Sequence, residues 1–131
     1  MDQPAAKQGD KVIAIDTHII MVPSPGGPVP TPTPAPFSGD LSDALSPDVL
    51  LENKPAATEG SVAVNNPPHV PSGGPFQKPP SNKGKIESGS GIVLINNKKA
   101  ARTGDTAITC NDPADVPGGT VIGSGTVLIG E

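Results

Sequence analysis

One sequence unit occurs three times in this chain, and its third copy is divided between the two ends. The fullest copy is GIVLINNKKAARTGD at residues 91–105, and an earlier one is DVLLENKPAATEGS at residues 48–61. The chain ends with GTVLIGE, and PAAKQGD lies near its start at residues 4–10, so joining the ends would complete a third copy. A repeated unit usually cannot bury its apolar side alone. The sequence therefore predicts three similar units that pack together, with the two ends of the chain side by side.

Each copy contains a short apolar run, two adjacent alanines and a glycine. Runs of Val, Ile and Leu between glycines are typical of strands, alanine pairs allow close backbone contact, and glycine permits a tight turn. With 18 Pro, 16 Gly and no Trp or Tyr among 131 residues, the apolar core is expected to be thin. We predict a single domain, residues 1–131, that is mainly β and pseudo-threefold.

Two segments rich in Pro and Gly are expected to be long loops. Residues 22–36 contain so many prolines that we predict neither a helix nor a central strand there, but an extended, polyproline-like loop. Residues 67–80 form the second such loop. The sequence SGDLSDAL at residues 38–45 predicts a short helical turn that ends before Pro47.

Charge and composition exclude several classes of protein. The net charge of −4 gives no basic patch for nucleic acid. No run of about 18 apolar residues predicts a membrane-spanning helix, and the first residues lack the apolar core of a signal peptide. A single cysteine excludes an internal disulfide framework, which leaves a buried thiol or a metal ligand.

The only histidines and the only cysteine follow the repeat. His18 lies nine residues after Gly9, His69 lies nine residues after Gly60, and Cys110 lies six residues after the third glycine. A threefold arrangement would bring the three side chains towards one axis, and His and Cys are the usual ligands of tetrahedral zinc. We predict a structural Zn²⁺ bound by His18, His69 and Cys110. The alternative is two exposed histidines and a buried thiol.

The fourth ligand is left open by the sequence. Asp16, Asn111, a backbone carbonyl and water are all candidates. A structural metal contributes about 10–16 kcal/mol in small zinc peptides, which matters where the core is thin.

At these residues the chain resembles the PAAR-repeat family, the spike-tip proteins of contractile injection systems, which include type VI secretion and extracellular phage-tail-like particles. The family motif is matched by PAAK at residues 4–7, PAAT at 55–58 and KAAR at 99–102, and none of the three is a perfect match. The resemblance covers essentially the whole chain. It implies a small cone with a zinc near the apex, held by histidines and a cysteine. The family commonly uses three histidines, whereas this chain has two.

The resemblance also implies a function. The base of the cone would cap a trimeric β-helical spike, with one copy per trimer, and the tip would help to pierce the target envelope, with transient contact with the target membrane. The chain would be a monomer by itself, would bind no nucleic acid, and would join a particle assembled in the cytoplasm and then secreted or extracellular. The apolar repeat strands are expected to contact the spike: Val49, Leu50, Leu51, Ile92, Val93, Leu94, Ile95, Val127, Leu128 and Ile129.

Two other functions are compatible with the sequence. A zinc hydrolase would need an open metal position and a nearby general base, but no catalytic zinc motif such as HExxH is present. A proline-rich adaptor would use residues 28–36 to dock into an aromatic groove of another protein. We predict a structural protein rather than an enzyme.

Overall fold

The computed structural model describes residues 2–130, and Glu131, which ends the third copy of the repeat, lies outside this range together with Met1. The described residues form strands, turns and loops without any helix, so none of them forms a helix that is long and apolar enough to cross a membrane. The prediction of a mainly β fold is therefore confirmed. The strands are β1 Gln3–Pro4, β2 Lys11–Val22, β3 Val29–Asp43, β4 Leu50–Leu51, β5 Lys54–Pro55, β6 Val62–Asn65, β7 Lys83–Ile86, β8 Leu94–Ile95, β9 Lys98–Lys99, β10 Thr106–Thr109, β11 Val116–Ile122 and β12 Leu128–Ile129.

Three antiparallel hairpins close into one six-stranded sheet. The hairpins are β2–β3, β6–β7 and β10–β11, and the order around the sheet is β10-β11-β2-β3-β6-β7. Each hairpin follows the glycine of one repeat: Gly9, Gly60 and Gly104 have φ values of 87°, 90° and 94°. This left-handed conformation is the one that glycine adopts without strain. Each repeat therefore contributes one hairpin to the closed sheet.

A ring of backbone hydrogen bonds joins the three alanine pairs. The N–H of Ala6 donates to the carbonyl of Ala101, that of Ala101 to Ala57, and that of Ala57 to Ala6, at 2.9, 3.1 and 3.0 Å. All three alanines are fully buried. Their side chains belong to the apolar cluster that contains Phe37, so a larger residue at any of the three positions would overpack it. The ring shows directly that the fold is pseudo-threefold.

Three short hairpins lie on the other side of this ring and form the base of the molecule. They are β4–β5, β8–β9 and the pair β12–β1, in which the two ends of the chain meet as predicted: Gln3 pairs with Ile129 and Pro4 with Leu128. A second apolar cluster packs above them, on the side of the alanine ring, and is formed by Ala5, Ala56, Ala100, Ile95 and Ile129, with Val49, Leu51, Val93 and Val127 at its edge.

A single aromatic ring fills the centre of the closed sheet. Phe37 is 2 % exposed, and it packs beside Gly39 and Gly84, at which an added Cβ would approach the ring to 2.9 and 3.3 Å. The third equivalent glycine, Gly119, gives similar room to Thr109. These glycines occupy the same position in β3, β7 and β11. The Phe37 ring is thus accommodated because two of these equivalent positions, Gly39 and Gly84, carry no side chain.

The first proline-rich segment is a strand, so the prediction of a loop there was wrong. Residues 29–36 pair with β2, and the prolines alternate strictly along β3. On β2, Thr17 and Ile19, which lie opposite Pro34 and Pro32, donate their N–H groups away from β3, to Asn111 and Asp112. Prolines in antiparallel register therefore occupy positions that donate nothing across the pair, in the part of β3 that pairs with β2 alone.

The helical turn predicted for residues 38–45 is also absent. β3 continues to Asp43 and pairs with β6, with a register shift between Leu41 and Asp43. The N–H of Leu41 donates to the carbonyl of Asp10 and its carbonyl accepts from Gly9. These tertiary contacts stabilise a strand where the local sequence favoured a cap. Residues 67–80 form a loop, as predicted.

Candidate metal centre

Four side chains capable of binding a metal meet beyond Phe37, at the end of the closed sheet opposite the base. They are Asp16 and His18 on β2, His69 in the loop that follows β6, and Cys110 directly after β10. The side chains of Asp16, His18 and His69 are 0, 2 and 3 % exposed, and Cys110 is buried. The structure thus brings together the three residues singled out in the sequence, one from each hairpin unit, and adds Asp16.

The spacing of the four donor atoms suits a tetrahedral metal. Asp16 Oδ2 lies 2.8 Å from His69 Nε2, 3.4 Å from Cys110 Sγ and 4.0 Å from His18 Nε2. Cys110 Sγ lies 3.7 Å from His18 Nε2, and all four donors lie within 4.8 Å of one another. Ligands of a tetrahedral zinc are separated by about 3.3–3.8 Å, given metal–ligand distances of about 2.0–2.3 Å. To complete the tetrahedron, the shortest of these separations would have to widen and the longest would have to shorten.

The surroundings of Asp16 make it the best candidate for the fourth ligand. Its Oδ1 accepts a 2.6 Å hydrogen bond from the Thr109 hydroxyl, which leaves Oδ2 directed at the other three donors. Asn111, the other side chain considered, is already engaged: its Oδ1 accepts from the N–H of Thr17 at 2.6 Å, and its Nδ2 donates to the carbonyl of Thr109. Asn111 therefore holds the chain around the centre, while Asp16 faces into it.

The far nitrogen of His18 faces a carboxylate. His18 Nδ1 lies 3.5 Å from Asp112 Oδ2, which accepts a hydrogen bond from the N–H of Ile19. Nδ1 is buried and makes no hydrogen bond to any described residue. A metal on Nε2 requires the proton on Nδ1, where it would point at Asp112, and such carboxylate–histidine pairs commonly orient metal ligands. A metal bound to Nε2 would therefore explain why the unpaired Nδ1 of His18 faces the carboxylate of Asp112.

The second histidine is held by amide groups. The backbone N–H of His69 donates to Asn82 Oδ1 at 2.8 Å, and Asn65 Nδ2 lies 3.3 Å from His69 Nδ1. Asn65 is itself fixed, because its Oδ1 accepts from the N–H of Ser38. Since the Asn65 amide nitrogen can only donate, the proton of the neutral His69 ring lies on Nε2, directed at Asp16. A metal would replace this proton.

Burial, and then the neighbouring carboxylate of Asp16, raise the pKa of Cys110 to about 11. A thiol in this setting keeps its proton at neutral pH unless a cation replaces it. With a divalent metal, one thiolate and one carboxylate, the centre would carry no net charge. Neutrality lowers the cost of burying the ion.

Asp112 and Thr109 support the centre but were not identified from the sequence. Both lie within two residues of Cys110 along the chain, and only their position against β2 gives them a role.

No protein-family model matches the chain, and no curated protein matches its sequence.

The ten residues predicted to contact a partner all lie at the base, but they do not all face outwards. Leu50, Leu94 and Leu128 occupy equivalent places in the three base hairpins and are 58, 61 and 56 % exposed. Ile92 is exposed as well, whereas Ile95 and Ile129 lie in the apolar cluster above, because neighbouring side chains of a strand face opposite sides. Val49, Leu51, Val93 and Val127 are half-buried at the edge of that cluster.

Proposed function

We propose that this chain is a metal-stabilised spike tip that caps the trimeric β-helical spike of a contractile injection system and helps to pierce the target envelope. One observation carries the proposal: a single chain presents three equivalent leucines, almost equally exposed, on a base built from three equivalent hairpins. A pseudo-threefold surface of this kind matches the end of a symmetric trimer with one copy per trimer. The particle would assemble in the cytoplasm and then be secreted or act outside the cell.

The three leucines fit an apolar contact with the last strands of such a spike. Exposed apolar side chains in equivalent places are typical of interaction surfaces, and an open strand end needs to be covered. Asp48 and Thr126 stand where the copy at residues 91–105 has Ile92, so only one of these three equivalent positions carries a charge. The complex should therefore depend only weakly on salt.

The experiment is to mix the chain with a trimeric β-helical spike protein and to measure the mass of the complex by light scattering. We expect one chain per spike trimer and a monomer in the absence of the spike. Replacing Leu50, Leu94 and Leu128 together by Glu should abolish the complex. The matched control replaces Ile13, Val64 and Val116 together by Glu; these apolar residues are also exposed but lie on strands of the closed sheet, and the variant should bind normally. A homotrimer of the isolated chain, or a complex with three chains per trimer, would contradict the proposal.

We further propose that the metal is zinc and that Asp16, His18, His69 and Cys110 bind it. Mixed nitrogen, sulfur and oxygen donors in a tetrahedron suit Zn²⁺. The metal would join the three hairpins at the end remote from the ring of alanines. Elemental analysis of the purified chain should give one zinc per chain, and a chain that remains free of metal after exposure to zinc would contradict the assignment.

The geometry argues against the two other functions. Four protein donors leave no coordination position for a substrate or water, which a zinc hydrolase requires. The prolines of residues 30–36 are held in a hairpin with β2, rather than in the free polyproline helix that aromatic grooves bind. A structural role suits both regions better.

A further inference from the structure

The four candidate ligands lie on parts of the chain that differ in rigidity. Asp16 and His18 lie in the paired part of the β2–β3 hairpin, and Cys110 directly follows β10, which pairs with β7, so paired strands hold three of them. His69 instead lies in the loop between β6 and β7, residues 67–80. Only one donor is therefore attached to a part of the chain that can move without disrupting the sheet.

This loop is held at its two ends and free between them. At its start the N–H of Asn66 donates to the carbonyl of Ser38, and the N–H of His69 donates to Asn82 Oδ1. Near its end the carbonyl of Pro75 accepts from Met21, and the N–H of Gln77 donates to the carbonyl of Ile19. Residues 70–74 make no backbone hydrogen bond to any described part of the chain, and Val70 is 79 % exposed. Segments with few buried contacts and few hydrogen bonds open at a low free-energy cost compared with the whole fold.

A cleft of about 400 Å³ lies between this loop and β3. Thr33 and Ala35 of β3 line one side, the loop around Val70 lines the other, and the rings of His18 and His69 lie at its inner end, next to Phe76. Asp16 and Cys110 do not line it. The centre is thus approached from the histidine side.

We propose that a divalent metal ion enters and leaves the centre through this cleft, and that His69 is the ligand that moves aside while Asp16, His18 and Cys110 keep their places. The inference rests on the metal centre proposed above. It assigns unequal roles to the ligands: three form a fixed site that receives the ion, and His69 closes it. Phe76, whose ring centroid lies 5.8 Å from that of His18, narrows the inner end of the cleft.

The test compares two rates in the zinc-loaded full chain: release of zinc to an excess of a chromophoric chelator, and global unfolding extrapolated to water. We expect release to be at least about tenfold faster than unfolding, because only the loop opens. Thr33→Leu, which narrows the cleft, should slow release, and Phe76→Ala, which widens it, should accelerate release. Val64→Ala, on the outer face of the sheet, is the control that should change neither rate.

Ligand variants complete the test. His69→Ala should still bind one zinc per chain, more weakly and with faster release, whereas Asp16→Ala, His18→Ala and Cys110→Ser should lose it. A release rate equal to the unfolding rate in every variant would overturn the proposal, as would complete loss of zinc in a folded His69→Ala variant. A wild-type chain that binds no zinc would overturn the metal centre itself, and a chain that binds zinc but no spike would leave the access route standing.

Discussion

The three repeats are nearly equivalent at one end of this molecule and clearly different at the other. At the base the three units are nearly interchangeable: the alanines form a closed ring of hydrogen bonds, and Leu50, Leu94 and Leu128 are exposed to almost the same extent. At the far end the first hairpin is much longer than the other two, and it supplies both Asp16 and His18, whereas the second and third units supply one donor each.

The difference has a geometric cause. Backbone groups are the same in every residue, so three units can meet around an axis by equivalent contacts. A tetrahedral ion needs four donors, and three equivalent units supply three. In the proposed metal centre one unit must therefore provide a second donor, so the three units cannot be equivalent there. If this interpretation is right, the two ends can be disturbed separately.

The largest effect is expected from removal of the metal centre. Cys110→Ser or His18→Ala should abolish zinc binding and lower the free energy of unfolding by several kcal/mol, since structural zinc contributes about 10–16 kcal/mol in small peptides. Thermal unfolding followed by circular dichroism measures the change, and chelation of the wild-type chain should reproduce it. A variant that keeps both its zinc and its melting temperature would exclude that residue from the centre.

Disturbing the ring of alanines should affect stability but not zinc. Ala57→Val places two extra carbons where the side chain is fully buried, and overpacking of this kind costs about 1–3 kcal/mol. Denaturant unfolding gives the loss, and elemental analysis should still find one zinc per chain. Val64→Leu at the exposed outer face is the control. Loss of zinc in folded Ala57→Val would show that the two ends are coupled.

The fit of Phe37 can be tested by a double-mutant cycle. In Gly39→Ala the new Cβ would lie 2.9 Å from Phe37 Cε1, so we expect destabilisation of about 1–3 kcal/mol. Phe37→Leu should relieve part of this cost, which gives the two substitutions a favourable coupling energy in denaturant unfolding. If the two losses of stability were strictly additive, the packing of the Phe37 side chain would not depend on the absence of a side chain at Gly39.

A smaller effect is expected at Asp112. Asp112→Asn removes the carboxylate that faces His18 Nδ1 and should lower zinc affinity about 10–100-fold, as is usual for residues that orient metal ligands. Asp115→Asn, an exposed neighbour in the same loop, is the matched control. Affinity is measured by competition with a chelator, and equal affinities in the two variants would refute the orienting role.

The smallest effect is expected from moving the ends of the chain. Because β1 pairs with β12, a short linker from Glu131 to Met1 with new ends opened in the turn at residues 23–28 should preserve the fold. We expect zinc content to be unchanged and the melting temperature to shift by only a few degrees, about 1 kcal/mol or less. Failure to fold with linkers of several lengths would contradict closure of the third unit.

The sequence by itself determined the repeat, the closure of the third copy and the convergence of His18, His69 and Cys110, because all three follow from spacing along the chain. It also held a signal that we misinterpreted: prolines at every second position fit a strand with a partner on one side only as well as they fit a loop. Only the tertiary structure decided between these, since it supplied β2 as the partner of β3.

The roles of Asp16, Thr109 and Asp112 were likewise decided by the tertiary structure. Nothing in their sequence spacing sets them apart from other polar residues. The hydroxyl of Thr109 orients Asp16 from a strand that lies 93 positions away along the chain, and Asp112 meets His18 in the same way. A side chain's neighbours in space determine which of its atoms remain free to bind a metal, and local pattern does not contain that information.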